Sequence, residues 1–540
     1  MLKPRISRGF LKKIPASFRA IPSREAWNRT TRSWKAIAAR GLLHLRGNLR
    51  LLKAIVAREF LHNLLNLRFL IGLVLCLVVT VACIIILSHD YQQELADYSL
   101  RVNLQEEFLG KYALEGWVGQ LLPGQKPPER FRPLIIGIPT NESQDSFYDN
   151  PLPILFPRLD FLFIVTIVMS LLALLFSYDA VTGERERGTL RQMISNSVSR
   201  TTILLGKFLG GTASLLIPFL LALLAGVLCI NLNPNLQWDG SAWAELGLLL
   251  AASVAFITLF YLLGLMVSTW SRYSAVSMLN CLFLWVLLVL VIPNVCPYVS
   301  AQLRRIPSIT ATARRAEEIQ RTSRETWHQH RKELVEQFRP KYGELFSKLE
   351  ALDFGLILYD DRGDAKKVQE LAAADPQFKA MVDDFGAEVH RLAREWVQAS
   401  SQATNELWRD LYTKARAQTR LAKNLAGISP LADYVYVARD LTGTGLRSLK
   451  YFEEFKGDYR WRFGQYRAKV TAAVVAAHKN EPSPPGGWFL DLRDHPRFVF
   501  QEESLKGKLG AALPYWGILI LFNVVFFLGA FAGFVRYDVR

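Results

Sequence analysis

The sequence predicts an all-α, polytopic membrane protein: six transmembrane helices, with a mainly helical polar domain between the fifth and the sixth. Three observations carry this. Six apolar runs contain no Asp, Glu, Lys or Arg, and each approaches the ~20 residues that cross a hydrocarbon core of roughly 30 Å. The 540 residues are 51% hydrophobic yet 21% charged, with a mean hydropathy of +0.14. That is too apolar for an ordinary soluble protein and too polar for a chain that is membrane throughout. Finally, the long polar stretch before the last run steps its apolar residues by three and four, which is the helical period.

In chain order, residues 1–50 hold thirteen Lys and Arg against a single acid, Glu25. By the positive-inside rule this segment stays in the cytoplasm. Trp27, Trp34 and the Leu42–Leu52 stretch interleave apolar residues with Arg at helix-like spacing. The partner this pattern predicts is membrane lipid, with no nucleic acid. Residues 51–68, LLKAIVAREFLHNLLNLR, lead straight into the first span, 69–87. That span begins too far along the chain for a cleaved signal peptide and reads as a permanent anchor. The region 88–160 mixes a helix-like piece with Pro123, Pro127, Pro128, Pro133 and Pro139, so one continuous helix is excluded. It is read as an extracytoplasmic loop.

The second span is 161–177, and a charged loop, 178–207, returns to the cytoplasm. The remaining spans are 208–230, 246–268, 274–296 and 511–535. Pro218 and Pro293 are expected to kink the third and fifth. Six spans bring the C-terminal VRYDVR back to the cytoplasm, and the outer loop Asn231–Trp243 has no Lys or Arg. The five cysteines, Cys76, Cys83, Cys229, Cys281 and Cys296, lie in or beside spans. They form no disulfide or metal-binding spacing and read as small apolar fillers.

Residues 297–510 form the helical extracytoplasmic domain. Residues 310–338 read as one helix closed by Pro340. In 378–427, Met381, Phe385, Val389, Leu392 and Trp396, then Leu407, Leu411 and Ala415, make an apolar stripe. A helical hairpin is the simplest arrangement. His328 and His330 stand two apart, about 200° around a helix, and do not share a metal ion. Asp360, Asp361 and Asp364 with Gly363 lack the closing Glu of a calcium loop and read as a turn. No metal site is expected.

Catalytic residues are not expected either. No G-x-x-x-x-G-K-[ST] phosphate loop occurs, so any ATP and Mg belong to a separate subunit and this chain carries no cofactor. The spans offer no Asp, Glu or His at membrane depth, where a carrier coupled to protons or sodium places its ion ligands. The loop 178–207 carries the clearest signal. Glu184, Arg185, Glu186 and Arg187 alternate in sign, Gly188 permits a sharp change of direction, and Thr189 is a competent N-cap for the helix that follows. The patch is expected to face solvent, so that reversing Glu184 and Glu186 weakens a partner's docking and leaves the subunit folded.

Four stretches together resemble one family. They are the loop LLFSYDAVTGERERGTLRQMISNSVSRTTILLGK, the lead-in LLKAIVAREFLHNLLNLRF, the segment GISPLADYVYVARDLTGTG and the ending HPRFVFQEESLKGKLGAALPYWGILILFNVVFFLGAFAGFVRYDVR. Each is similar to a segment of the ABC-2-type permeases that carry a large extracytoplasmic insertion before the last span. The resemblance implies an ABC-2-type exporter fold in a bacterial inner membrane, with both termini cytoplasmic. It implies a second permease subunit and, on each subunit, a cytoplasmic ABC ATPase that binds ATP and Mg. On this reading 178–207 holds the coupling helix, with Glu184, Arg185, Glu186, Arg187, Gly188 and Thr189 as coupling residues. Residues 51–68 form the interfacial elbow helix, with Glu59 and Arg68 at charged positions of that family. Gly529 and Gly533 make a GxxxG, which allows either packing within the subunit or dimerisation, packing being the preferred reading. Two alternatives stand beside the exporter: a membrane subunit that drives work on an outer partner without solute transport, and an ion-coupled carrier.

Overall fold

The computed structural model describes residues 50–111, 124–138, 159–195, 198–232, 238–352, 365–478 and 488–536. The basic segment before Arg50, the Asp360–Asp364 turn and the last four residues of the terminal VRYDVR lie outside them. The described residues are helical almost throughout, and six of the helices are long and apolar enough to cross a membrane.

Helix α1, residues 50–64, ends at a break over Leu65 and Asn66. Helix α2, Leu67–Lys111, then runs for 45 residues. At 1.5 Å per residue it is roughly 67 Å long, twice a hydrocarbon core. Nothing after Leu87 stops it: the continuation has no Pro, and Tyr91, Leu95 and Leu109 find apolar cover. Arg68, read from the sequence as part of the elbow, instead stands in the first turn of α2. The break puts it there, because Phe69 N–H already bonds the Asn66 carbonyl.

Helix α3 runs from Phe161 to Ser177, with its middle turn, Ile164–Met169, widened to a π-helix. Two short helices follow, α4 (Thr182–Glu186) and α5 (Thr189–Ser195). The remaining spans are α6 (Arg200–Asn231), α7 (Gly240–Trp270), α8 (Ser274–Leu303) and α15 (Leu505–Val535). Helix α3 keeps its sequence-predicted limits, whereas α6, α7 and α15 start ahead of theirs, because side-chain caps, not the membrane edge, decide where they begin. Asp160, Ser199, Asp239 and Ser504 each accept a hydrogen bond from a first-turn backbone N–H, satisfying a group that would otherwise be orphaned.

Helix α7 is the centre of the bundle, packed against α3 and α15, while α6 lies along α2. The GxxxG of the last span faces α7. A Cβ on Gly529 would meet Met266 Sδ at 2.5 Å, and one on Gly533 the Trp270 ring at 2.5 Å. Trp270 Nε1 donates to the Gly529 carbonyl at 3.0 Å. The motif therefore packs two helices of the same subunit. Some polar side chains inside the spans pair across helices: Trp285 Nε1 with Ser170 Oγ at 2.8 Å, Thr258 Oγ1 with Asn523 Oδ1 at 3.1 Å. At Pro293 the widened turn Val286–Val291 lies just ahead of the proline. A proline gives no N–H to the carbonyl four residues back and crowds it, and a π-turn opens the space.

Beyond α8 the chain rises as α9 (Ile309–Tyr342), turns through α10 (Glu344–Ala351) and α11 (Ala365–Ala374), and returns as the 51-residue α12 (Pro376–Ala426). Trp327, Phe338, Phe346, Met381, Phe385 and Val389 form a core of their own at the turn. Pro340 does not close α9. The helix continues through it to Gly343, whose φ of +52° ends it.

Helix α13, Pro430–Thr442, departs most from the sequence reading, which kept the whole of 297–510 outside the bundle. It packs against α7, α8 and α15, and Tyr434, Val437, Ala438 and Leu441 belong to the same core as the spans. Ser429 Oγ donates to the Leu288 carbonyl, and Tyr434 Oη bonds Ser253 Oγ at 2.8 Å. Helix α14, Leu446–Ala477, then lies against the far end of α2 through Tyr459, Phe463 and Leu109.

Charges bind this end together. Lys508 Nζ, 3% exposed, contacts Glu245 at 2.8 Å and Glu502 at 3.4 Å. Arg130 reaches Glu502 at 2.7 Å and Asp239 at 2.8 Å. Burial alone would raise the Glu502 carboxyl, but the hydrogen bond from Arg130 and the charge of Lys508 outweigh it and hold the group below the ordinary carboxylate range. The sequence-read limits of the spans remain free of ionisable residues. The helices are longer than those limits, and their end turns hold Lys207, Glu245 and Lys508 as buried cross-helix pairs.

Candidate functional site

The end of the bundle opposite the insertion is built around Lys207, in the second turn of α6. It is 2% exposed, and its ammonium lies 2.9 Å from Glu59 Oε1 on α1 and 2.9 Å from Glu184 Oε1 on α4. A lysine so buried is tolerable only when paired, and here one cation ties together three elements. Glycines on α6 bring α1 within reach: a Cβ on Gly210 would lie 2.8 Å from the Val56 carbonyl. Asn63 Nδ2 adds a bond to Ser214 Oγ at 3.1 Å.

The rest of the loop is stapled to neighbouring spans. Arg68 reaches Asp179 at 3.0 Å and Tyr178 Oη at 2.9 Å, holding the end of α3 to α2. The backbone N–H groups of Val181 and Thr182 both donate to Ser268 Oγ at 3.1 Å. Arg185 Nη1 donates to the Ser271 carbonyl at 2.7 Å, and Ser277 Oγ donates to the Tyr178 carbonyl at 2.7 Å. Glu186 accepts from Ser274 N–H at 2.7 Å and Ser274 Oγ at 2.9 Å, capping the first turn of α8.

The six residues singled out in the sequence therefore divide. Glu184 is 5% exposed and is not a solvent-facing charge. The turn of the short helix α4 directs it inward to Lys207, away from its exposed neighbours Glu186 and Arg187. Arg185 is half-buried, while Glu186, Arg187 and Gly188 are exposed. Gly188 has a φ of +73° and turns the chain from α4 into α5. Thr189 is not the N-cap expected of it. It is already helical, and its hydroxyl donates to the Glu184 carbonyl at 3.3 Å. Helix α5 adds Arg191, Gln192 and Ser195 to the exposed strip and buries Leu190 completely beneath it.

The sequence reading missed Lys207, Asp179 and Ser268 as parts of this site. Lys207 carried a signal: a lysine directly before an apolar span must either leave the membrane or find an acid. Glu59 carries one too, at a depth set by the Leu65–Asn66 break.

The arrangement is an exposed strip on a frame fixed by buried ion pairs, suited to receiving a protein surface. A model of the ABC-2 family transporter proteins matches residues 53–355, which takes in α1, the whole loop and the first five spans. The chain is 41% identical over 101 residues to the "Probable ABC transporter permease protein NosY" of Stutzerimonas stutzeri, covering 19% of this chain and 34% of that protein. It is 49% identical over 47 residues to the protein of the same name in Pseudomonas aeruginosa, covering 9% and 17%. The aligned stretches thus span at most about a third of either relative's length.

Proposed function

Because this chain belongs to the ABC-2 family of transporter proteins, we propose that it is the permease subunit of an exporter in a bacterial inner membrane, energised by a separate cytoplasmic ABC ATPase. A second permease subunit completes the transporter, and ATP with Mg binds on the ATPases. The observation that carries this is the strip Glu186–Arg187–Gly188 with Arg191 and Gln192, exposed to water yet fixed to α1, α2, α6, α7 and α8. ATP-driven closure of the partners would push on α5, and the buried pairs beneath would pass the movement to the spans.

Topology is tested first. A cysteine replacing Ser401 on α12 is expected to react with an impermeant thiol reagent in intact cells, and one replacing Ser195 only after lysis. Labelling of the Ser195 variant in intact cells would reverse the orientation. The division of labour is tested by purification: the chain alone is expected neither to bind nor to hydrolyse ATP. Hydrolysis by a preparation free of any ATPase subunit overturns it.

A specific feature favours a second reading, in which the same ATPase stroke works on an outer partner and no solute crosses. Helix α12 is rooted in the bundle at Lys423, whose ammonium sits 4.6 Å from the Tyr436 ring of α13 and 4.5 Å from the Tyr515 ring of α15. Movement of the last span would be felt directly by the insertion. Substrate-stimulated ATPase activity with uptake into inverted vesicles selects the exporter, whereas stimulation by an outer protein without uptake selects the second reading.

A further inference from the structure

We propose that the groove between the end of α15 and the α7–α8 turn binds the phosphate headgroup of an anionic phospholipid. Arg185, Glu186, Trp270, Arg272, Tyr273 and Arg536 line it. The lining carries three guanidiniums and one carboxylate; Arg185 is held by the Ser271 carbonyl and Glu186 by Ser274, so Arg272 and Arg536 are the cations offered to a headgroup. A phosphate diester is the planar-fork partner that arginine suits best.

The place of the groove selects a lipid over a free anion. Spans α7 and α15 end here and α8 begins here, so it lies where hydrocarbon gives way to water. Trp270 and Tyr273 are 61% and 64% exposed, and such rings settle at headgroup depth. The Trp270 indole is fixed by its bond to the Gly529 carbonyl, with the Arg536 guanidinium 6.0 Å from its ring centre. About two to three turns back along α15 from Arg536, Leu528 and Val525 are exposed for the acyl chains. Basic pockets between spans on the cytoplasmic side recognise anionic headgroups in this way. The leaflet assigned rests on the orientation proposed above.

The test uses the full chain in detergent and a double variant, Arg272→Gln with Arg536→Gln, titrated with short-chain phosphatidylglycerol, short-chain phosphatidylcholine and inorganic phosphate. Binding is read from the shift in thermal midpoint with concentration. The wild type is expected to bind phosphatidylglycerol at least tenfold more tightly than either other ligand. The double variant is expected to lose about thirtyfold in that affinity, from roughly fivefold per arginine near a membrane surface. Lysine at both positions should restore most of it, and recovery of the ATPase should not change. An unaltered lipid preference in the glutamine variant overturns the proposal. So does phosphate binding as tightly as the lipid, or loss of the ATPase with lipid preference intact, which would make the groove a protein-docking surface. Reversed cysteine labelling together with loss of lipid preference would move the site to the opposite leaflet, overturning the orientation and not the site.

Discussion

Replacing Lys207 with Met is expected to cost about 3–5 kcal/mol, because it leaves the buried Glu184 and the partly buried Glu59 carboxylates side by side without a counter-charge. Soluble protein recovered from detergent should fall sharply, and the surviving fraction should aggregate at a lower temperature than wild type. Glu184→Lys is expected to be as damaging, since it sets a second ammonium against Lys207. This reverses what the sequence implied, that Glu184 could be inverted with the fold intact. The exchange Glu184→Lys with Lys207→Glu restores opposite charges at the same positions and should recover much of the loss. If Lys207→Met melts within a degree of wild type, the buried cluster does not hold the loop.

Reversal on the exposed strip should behave oppositely. Arg187→Glu with Arg191→Glu alters side chains that water already surrounds, so folding should change by no more than about 0.5 kcal/mol. Among the described residues the bond lost is local, from Arg187 Nε to the Gly183 carbonyl at 2.9 Å. Docking of the ATPase is expected to weaken by about 2–5 kcal/mol, roughly thirtyfold or more in affinity, if these charges are covered in the complex. Co-purification of the ATPase and its stimulated activity at physiological salt measure this. Unchanged recovery and activity would leave the strip a mere connector between two spans.

The contrast between these variants shows which parts of the site were legible beforehand. A bilayer demands runs of apolar residues, so six spans could be read from hydropathy alone. The direction of one charge on a five-residue helix could not. Glu184 and Glu186 stand two apart, each followed by an arginine, and only the third dimension sends one to Lys207 and the other to Ser274. Helix α13 was missed for a related reason. It is thirteen residues long with Asp433, Arg439 and Asp440 among them, too short and too charged for a span. Its signal was the spacing of Tyr434, Val437, Ala438 and Leu441, a single buried face. That face reads the same whether it packs on a soluble hairpin or among membrane helices.

The root of α12 has a geometric consequence. With Lys423 clamped between Tyr436 and Tyr515 near its lower end, this helix of 51 residues extends about 70 Å from its pivot. A tilt of the last span by about 5° would sweep the far end through roughly 6 Å, about one helical turn. On such a motion the clamp would act as a lever, trading the short, forceful stroke available inside a bilayer for a long, gentle one far from it.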